Sequence, residues 1–178
     1  GFCLVGSEMC IRDRLKYKGV ERRFQYHGVF STNSGKEFKL IDDYGHHPTE
    51  IKVTLEACKQ AFPNQKILLV FQPHRFSRTR DLFEEFIKVL SEVNSLILLP
   101  VYAAGEDEII GTDSKTLARS IRILKKVNPF VVSNDIEALY MIFSILDSGD
   151  ILLLMGAGSV SRLTNLIKNE VERDGYDK

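Results

Sequence analysis

Three stretches of this chain, residues 66–71 (KILLVF), 96–100 (LILLP) and 151–155 (ILLLM), are apolar almost without a break over the length of one β-strand. A strand with one face in water alternates apolar and polar residues, so continuous runs of this kind need cover on both faces. That requirement favours a parallel sheet held between two layers of helices. The segments between the runs supply the helices. Residues 48–62 repeat apolar side chains at helical spacing (Ile51, Leu55, Cys58, Phe62), with Pro48 at the start, where a missing N–H does no harm. Further helices are predicted over about 78–93, over 113–126 with Thr112 or Asp113 as cap, over 134–146 and over 159–170. Residues 38–43 and 130–132 read as two more strands. The alternation predicts a doubly wound, mostly parallel α/β fold of Rossmann-like type, with about five to six strands and helices on both faces, occupying residues 37–172 or so.

Upstream, the pattern stops. Residues 1–14 (GFCLVGSEMCIRDR) fit neither period and hold two of the three cysteines, so they read as a non-native-looking leader, expected to be disordered. Residues 15–36 read as a linker: a charged stretch, then a turn cluster (Ser31-Thr32-Asn33-Ser34-Gly35-Lys36) able to join two short strands as a hairpin. Residues 37–178 remain as one folded domain.

Charge narrows the function. Lys plus Arg (24) balance Asp plus Glu (24), unlike a protein built to coat a polyanion, so no nucleic-acid partner is expected. No apolar run approaches the ~18–20 residues needed to span a bilayer, so membrane insertion is not expected either. Three cysteines without a C-x-x-C pair suit a reducing compartment, and a cytoplasmic location is expected.

In an open parallel sheet, ligands bind outside the carboxyl ends of the strands. Four polar segments fall there: 42–50 (DDYGHHPTE), 72–78 (QPHRFSR), 102–106 (YAAGE) and 156–159 (GAGS). Asp42 and Asp43 can accept ribose hydroxyls or stand in a metal's outer shell; equally, Asp43 or Thr49 can cap the next helix. His46 and His47 can donate to phosphate or carboxylate oxygens, or be structural imidazoles, and no further Cys or His follows at zinc spacing. His74, Arg75, Arg78 and Arg80 crowd the start of a helix. Arginine offers a planar fork for carboxylate or phosphate, and cations there oppose the helix dipole, so a bound anion explains them better than helix stability does. Arg80 reads as solvated. Tyr102 and Glu106 can line a pocket or belong to an ordinary loop. Gly156-Ala157-Gly158 matches only the start of a dinucleotide fingerprint, with Ser161 in place of the third glycine, so tight strand-to-helix packing is the preferred reading. No G-x-x-x-x-G-K-[ST] is present to cradle a triphosphate and hold its magnesium unaided.

Together, FKLIDDYGHHPTE (38–50), FQPHRFSRTRD (71–81), YAAGE (102–106) and MGAG (155–158), with GVERRF (19–24) upstream, resemble the Mur ligases. The resemblance covers roughly residues 15–170. It implies a cytoplasmic three-domain ligase of peptidoglycan synthesis, and so of cell wall biogenesis, cell shape and division. Such an enzyme uses ATP and Mg²⁺ to phosphorylate the carboxylate of UDP-N-acetylmuramate; the amine of L-alanine then attacks the acyl phosphate. This chain would be the carboxy-terminal domain, with residues 15–36 the tail of a central ATPase domain. The partners implied are the two substrates and the amino-terminal and central domains. By resemblance, Asp43, Tyr44, His46 and His47 lie on the nucleotide side. His74, Arg75, Arg78, Tyr102 and Glu106 lie on the amino-acid side, and His46, Arg75 and Arg78 serve catalysis. The resemblance implies no metal ligand within this chain, ATP and Mg²⁺ being held mainly by the central domain, and the fragment is expected to be inactive alone.

Two rival readings stand beside it. A stand-alone Rossmann-type nucleotide-binding module would be expected to carry a complete glycine fingerprint. A non-enzymatic interaction domain would need no His and Arg at strand ends, and its partner binding should survive loss of Arg75 and Arg78.

Overall fold

Strands β1 (Gln25–Ser31), β2 (Glu37–Asp43), β3 (Ile67–Phe71), β4 (Ser95–Leu98), β5 (Phe130–Val131) and β6 (Ile151–Met155) form one sheet in the order β1-β2-β6-β3-β4-β5. The computed structural model describes residues 22–173. The expected leader and the first part of the expected linker lie outside them. All neighbours from β2 to β5 pair in parallel, and β1 alone runs antiparallel, on the outer edge of β2. The hairpin foreseen at residues 31–36 joins these two: Gly35 sits at φ 78° and its amide donates to the Thr32 carbonyl at 2.8 Å.

β6 lies at the centre, with Leu153 in register between Ile41 of β2 and Leu69 of β3. All five residues of β3 and all five of β6 are buried, as their unbroken apolar runs require. The path β2→β3→β4→β5 advances across the sheet and the path β5→β6 returns. Right-handed crossovers therefore put the helices of the two paths on opposite faces. One face carries α1 (Pro48–Ala61), α2 (Phe76–Asp81), α3 (Phe83–Leu90) and α4 (Ser114–Ile123); its core joins Ile41, Leu69 and Leu153 to Leu55, Phe86 and Leu117. The other carries α5 (Asp135–Ile145) and α6 (Arg162–Arg173), where Leu40, Val70 and Leu154 meet Ile142, Leu163 and Ile167.

The helix expected over 78–93 is two helices. Leu82, at φ −116° and ψ 25°, ends α2 with its amide on the Arg78 carbonyl, and its own carbonyl accepts from the Phe86 amide to begin α3. The bend lets Thr79 of α2 and Phe86, Val89 and Leu90 of α3 all be buried. The helix expected to run to 126 stops at Ile123, since Lys125 takes φ 56°. Asp113, the second of the two caps offered, accepts from the Thr116 amide at 2.6 Å, an interaction typically worth ~1 kcal/mol. The last helix opens with a 3₁₀ turn at Ser159–Ser161.

Candidate functional site at the carboxyl edge of the sheet

β2 ends in two buried aspartates, and both are tied down. Asp42 pairs with Arg22 (Nε–Oδ2 3.1 Å), whose Nη2 also donates to the Gly156 carbonyl at 2.6 Å. Asp43 accepts from the Phe24 amide through Oδ2 and from the Gly45 amide through Oδ1, both at 2.7 Å. The strap formed by residues 22–24 is strained, with Arg22 at φ 57° and Phe24 at φ 45°, and the aspartate contacts hold it in place. Each Asp43 oxygen keeps capacity for a second hydrogen bond. Beside it lies a groove of about 380 Å³ lined by Arg23, Phe24, Asp43, Glu50, Val53 and Thr54.

The next turn starts α1 with a reciprocal cap. His47 Nδ1 accepts from the Thr49 amide at 3.3 Å, and Glu50 Oε2 accepts from the His46 and His47 amides at 3.0 and 3.1 Å. The cap residue is therefore His47, where Asp43 or Thr49 had been the expected structural choices. A nitrogen that accepts carries no proton, so neutral His47 bears its proton on Nε2. Partial burial works to raise the Glu50 carboxyl, but the His46 amide, the Arg23 side chain and the His47 amide outweigh it and hold it below the ordinary carboxylate value.

Four rings then cross the strand ends in a row. Tyr44 meets His46 edge-on at 5.5 Å, His46 lies 5.5 Å from His74, and His74 stacks on Tyr102 at 5.4 Å with 15° between planes. Arg22 and Arg23 lie over the Tyr44 ring, at 5.2 and 5.8 Å. His46 Nδ1 is 3.2 Å from the Tyr44 carbonyl, which can only accept, so this nitrogen bears the proton. His74 Nδ1 is 3.2 Å from Arg78 Nη1; a guanidinium can only donate, so neutral His74 is protonated at Nε2. Burial, then the neighbouring His46, Arg78 and Arg75, hold His74 below the ordinary imidazole value, against the pull of Glu106. At neutral pH it is an uncharged acceptor toward Arg78.

The two arginines differ. Arg78 is half-buried and reaches back to the ring and the carbonyl of His74, both at 3.2 Å. Arg75 is exposed, its amide spent on the Tyr102 carbonyl (2.8 Å) and its guanidinium 3.7 Å from Glu106. Glu106 accepts from both the hydroxyl and the amide of Ser77, at 2.6 and 3.0 Å. Arg80 pairs with Asp81 on the exposed face.

Of the residues singled out from sequence, Tyr44, His46, His74, Arg78 and Tyr102 come into mutual contact, with Arg75 and Glu106 adjoining. Asp43 lies beside the groove, and His47 is committed to the helix cap. Gln72 escaped notice. It is 5% exposed, donates to Ser159 Oγ at 3.0 Å and accepts from the Val160 amide at 2.9 Å, fixing the turn after β6 to the end of β3. A polar residue closing an apolar strand run was its sequence signal. Arg22 was missed as well, its signal lying in the ERRF stretch before β1. The glycines of that turn serve close approach to neighbouring strand ends more than to their own helix. A Cβ at Gly156 would lie 2.8 Å from the Gln72 carbonyl oxygen, and one at Gly158 would lie 2.7 Å from Tyr102 Cγ.

A larger cavity of about 690 Å³ lies between α5, α6 and the β1–β2 turn, and it contains none of these residues. Among the described residues its walls are mainly apolar, with Glu170 the one carboxylate, whereas histidines, arginines and carboxylates converge at the sheet edge. Among the described residues, no group of three or more His, Cys, Asp or Glu is placed to share a metal ion, and no helix is long and apolar enough to cross a membrane. Two guanidiniums beside a floor of rings suit a small ligand with a carboxylate head.

Known proteins resemble the chain along most of its length. The family described as "Mur ligase, glutamate ligase domain" matches residues 22–158. A UDP-N-acetylmuramate–L-alanine ligase from Nitrosomonas eutropha is 46% identical over 165 residues, 89% of this chain and 35% of that protein. One from Neisseria meningitidis is 49% identical over 149 residues, 84% of this chain and 32% of that protein. The chain thus spans about a third of the length of the curated relatives it matches. Among solved structures, a UDP-N-acetylmuramate-alanine ligase from Thermotoga maritima superposes with a TM-score of 0.66 at 26% identity, covering 96% of this chain and 36% of that one.

Proposed function

The chain belongs to the Mur ligase family, and we propose that it is the carboxy-terminal domain of an ATP-dependent ligase joining L-alanine to UDP-N-acetylmuramate, with residues 15–36 as the tail of a central ATPase domain. The observation that carries this reading is identity of 46% and 49% to proteins of that name across most of the chain. The site geometry supports it. The reaction must gather a nucleotide, a sugar carboxylate and an amino acid, and must stabilise charge as the amine attacks.

In this reading Arg75 and Arg78 take the carboxylate of L-alanine, and Arg78 is aimed by neutral His74. Tyr102 backs His74, and His46 with Tyr44 closes the row toward the phosphate side. Asp43 and its groove accept the ribose: its two oxygens retain acceptor capacity, and Phe24, Val53 and Ala57 give an apolar wall for the base. His47 contributes by fixing the turn that presents His46. ATP supplies the phosphoryl group that activates the sugar carboxylate. Its magnesium falls to the central domain. The location that fits this reading is the cytoplasm, where ATP is available.

The chain supplies one wall of the site, so it should not turn over alone. The test is phosphate release. The intact ligase should release phosphate from ATP only with both L-alanine and UDP-N-acetylmuramate, and the 178-residue chain should release none. Turnover by the chain alone would sink the half-site reading, and an intact enzyme indifferent to L-alanine would sink the substrate assignment.

A further inference from the structure

We infer that Glu106 is a positioning residue, which holds the amino end of α2 and the Arg75 guanidinium in place and does not itself bind substrate. The identity of the substrate rests on the reading above; the rest follows from geometry.

α2 has no cap of its own. Arg75 occupies the cap position without a side-chain cap bond, at φ 70° and ψ 134°, outside the usual range for a residue with a side chain. The first amides of a helix need acceptors from elsewhere. Glu106, 29 residues beyond Ser77 in the loop after β4, supplies one: Oε2 takes the Ser77 amide, and Oε1 takes the Ser77 hydroxyl. The same Oε1 lies 3.7 Å from Arg75 Nη1. The Ser77 hydroxyl, then the Ser77 amide, and to a lesser extent Arg75, hold the Glu106 carboxyl below its ordinary value, so it is charged at neutral pH.

Two consequences follow. The anion that explains a cation at this helix end is, in part, the protein's own. An incoming carboxylate would meet a negative charge at the α2 terminus, so it must be taken by the outward ends of Arg75 and Arg78. The loop carrying Glu106 is also bound back to the strand-end segment before α2. Tyr102 donates its amide to the Pro73 carbonyl and accepts from the Arg75 amide, both at 2.8 Å. Glu106 closes this ring of contacts, so the position of Arg75 depends on it. Misplacing a binding group by ~1 Å can cost ~100-fold in rate.

The experiment uses Glu106→Ala, Glu106→Gln and two measurements. In the 178-residue chain, NMR follows Ser77 amide exchange and the Arg75 Nε–H signal. Glu106→Ala should speed Ser77 exchange about tenfold or more and shift the Arg75 signal. Glu106→Gln keeps an acceptor for Ser77 and should restore the protection but not the Arg75 shift. In the intact ligase, Glu106→Ala should raise KM for L-alanine about tenfold and leave KM for ATP and for the sugar nucleotide unchanged, with Glu106→Gln in between. Unchanged NMR signals would overturn the inference. So would an unchanged KM for L-alanine, or a uniform rise in all three constants with a lower melting temperature. Equal damage from Glu106→Gln and Glu106→Ala would mark Glu106 as a direct ligand and overturn it too. If the wild-type ligase ignores L-alanine, the substrate reading fails, and the NMR arm still decides what Glu106 does.

Discussion

Replacing Gly158 by alanine should disturb the ring row without changing any of its four residues. Gly158 sits at φ −94°, outside the left-handed region that favours glycine, and what an added methyl meets there is a steric clash. The added methyl would stand 2.5 Å from Gln72 Oε1, 2.7 Å from Tyr102 Cγ and 2.8 Å from Tyr102 Cβ. Gln72 is held by Ser159 and Val160 and is nearly buried, whereas Tyr102 is 43% exposed, so the tyrosine yields first. Its displacement breaks the 5.4 Å stack with His74, and Arg78 loses a fixed partner. Overpacking of this kind costs about 1–3 kcal/mol. For a domain of this size each kcal/mol lowers Tm by ~2–4 °C, so a fall of roughly 2–12 °C is expected. Thermal unfolding measures the loss, and the His74 ring-proton shift reports the stack. Adding Gln72→Ala removes the closest clash, so the glycine substitution should cost less in that background, by about 0.5–3 kcal/mol of coupling. A Gly158→Ala protein with the wild-type Tm and an unmoved His74 signal would refute the reasoning.

Other expectations are simpler. Leu153→Ala, at the fully buried centre of β6, should cost about 2–5 kcal/mol in urea unfolding, and a loss below ~1 kcal/mol would contradict the place of this residue in the core. Burial, with the charge of Asp43, pushes the Cys58 thiol up to about 12, so peptide-resolved labelling by a thiol reagent at pH 8 should find it inert until urea unfolds the chain. Stability should fall as pH drops through about 6.5, because His27 and His74 are both held below the ordinary imidazole value, chiefly by burial. Below that pH the unfolded chain takes up protons that the folded chain refuses, so the stabilisation is complete above 6.5 and declines beneath it. Urea midpoints at pH 8.0, 6.5 and 5.5 test this, and a flat profile would count against both environments.

The sheet was legible because its signal is local and strong: an apolar run such as residues 151–155 cannot lie at a wetted surface. Strand order was not, because nothing local tells Leu153 that its neighbours are Ile41 and Leu69. Helix ends divided along the same line. Asp113 caps α4 from within its own turn and could be foreseen. The start of α2 at Phe76 could not, since the acceptor for its Ser77 amide is a glutamate 29 residues beyond that serine. The break at Leu82 lacks any Pro or Gly to announce it, and tertiary packing of Phe86 against the sheet accounts for it. Among site residues, the chemistry-bearing types at strand ends stood out, and a buried amide such as Gln72 did not. Its importance lies in bonds to Ser159 and Val160, which sequence separates from it by 87 and 88 positions.

The two longest polar motifs are long because many of their residues hold the others. In DDYGHHPTE, Asp42 and Asp43 secure the strap, His47 and Glu50 build the cap, and Tyr44 and His46 remain for the ring row. In QPHRFSR, Gln72 and Ser77 are tied to other strand-end segments, which leaves His74, Arg75 and Arg78 beside the open edge. Such a division has a kinetic signature. A residue facing ligand loses contact with that ligand alone, whereas a tie such as Asp42, whose partner Arg22 also bonds Gly156, shifts several walls together. In the ligase proposed above, substitution of Asp42 should therefore raise KM for nucleotide and amino acid in parallel, while substitution of Arg78 should raise that for the amino acid alone. The motif residues sort by whether their polar atoms are already spent inside the fold, and that distinction is visible only once the four strand ends are brought together.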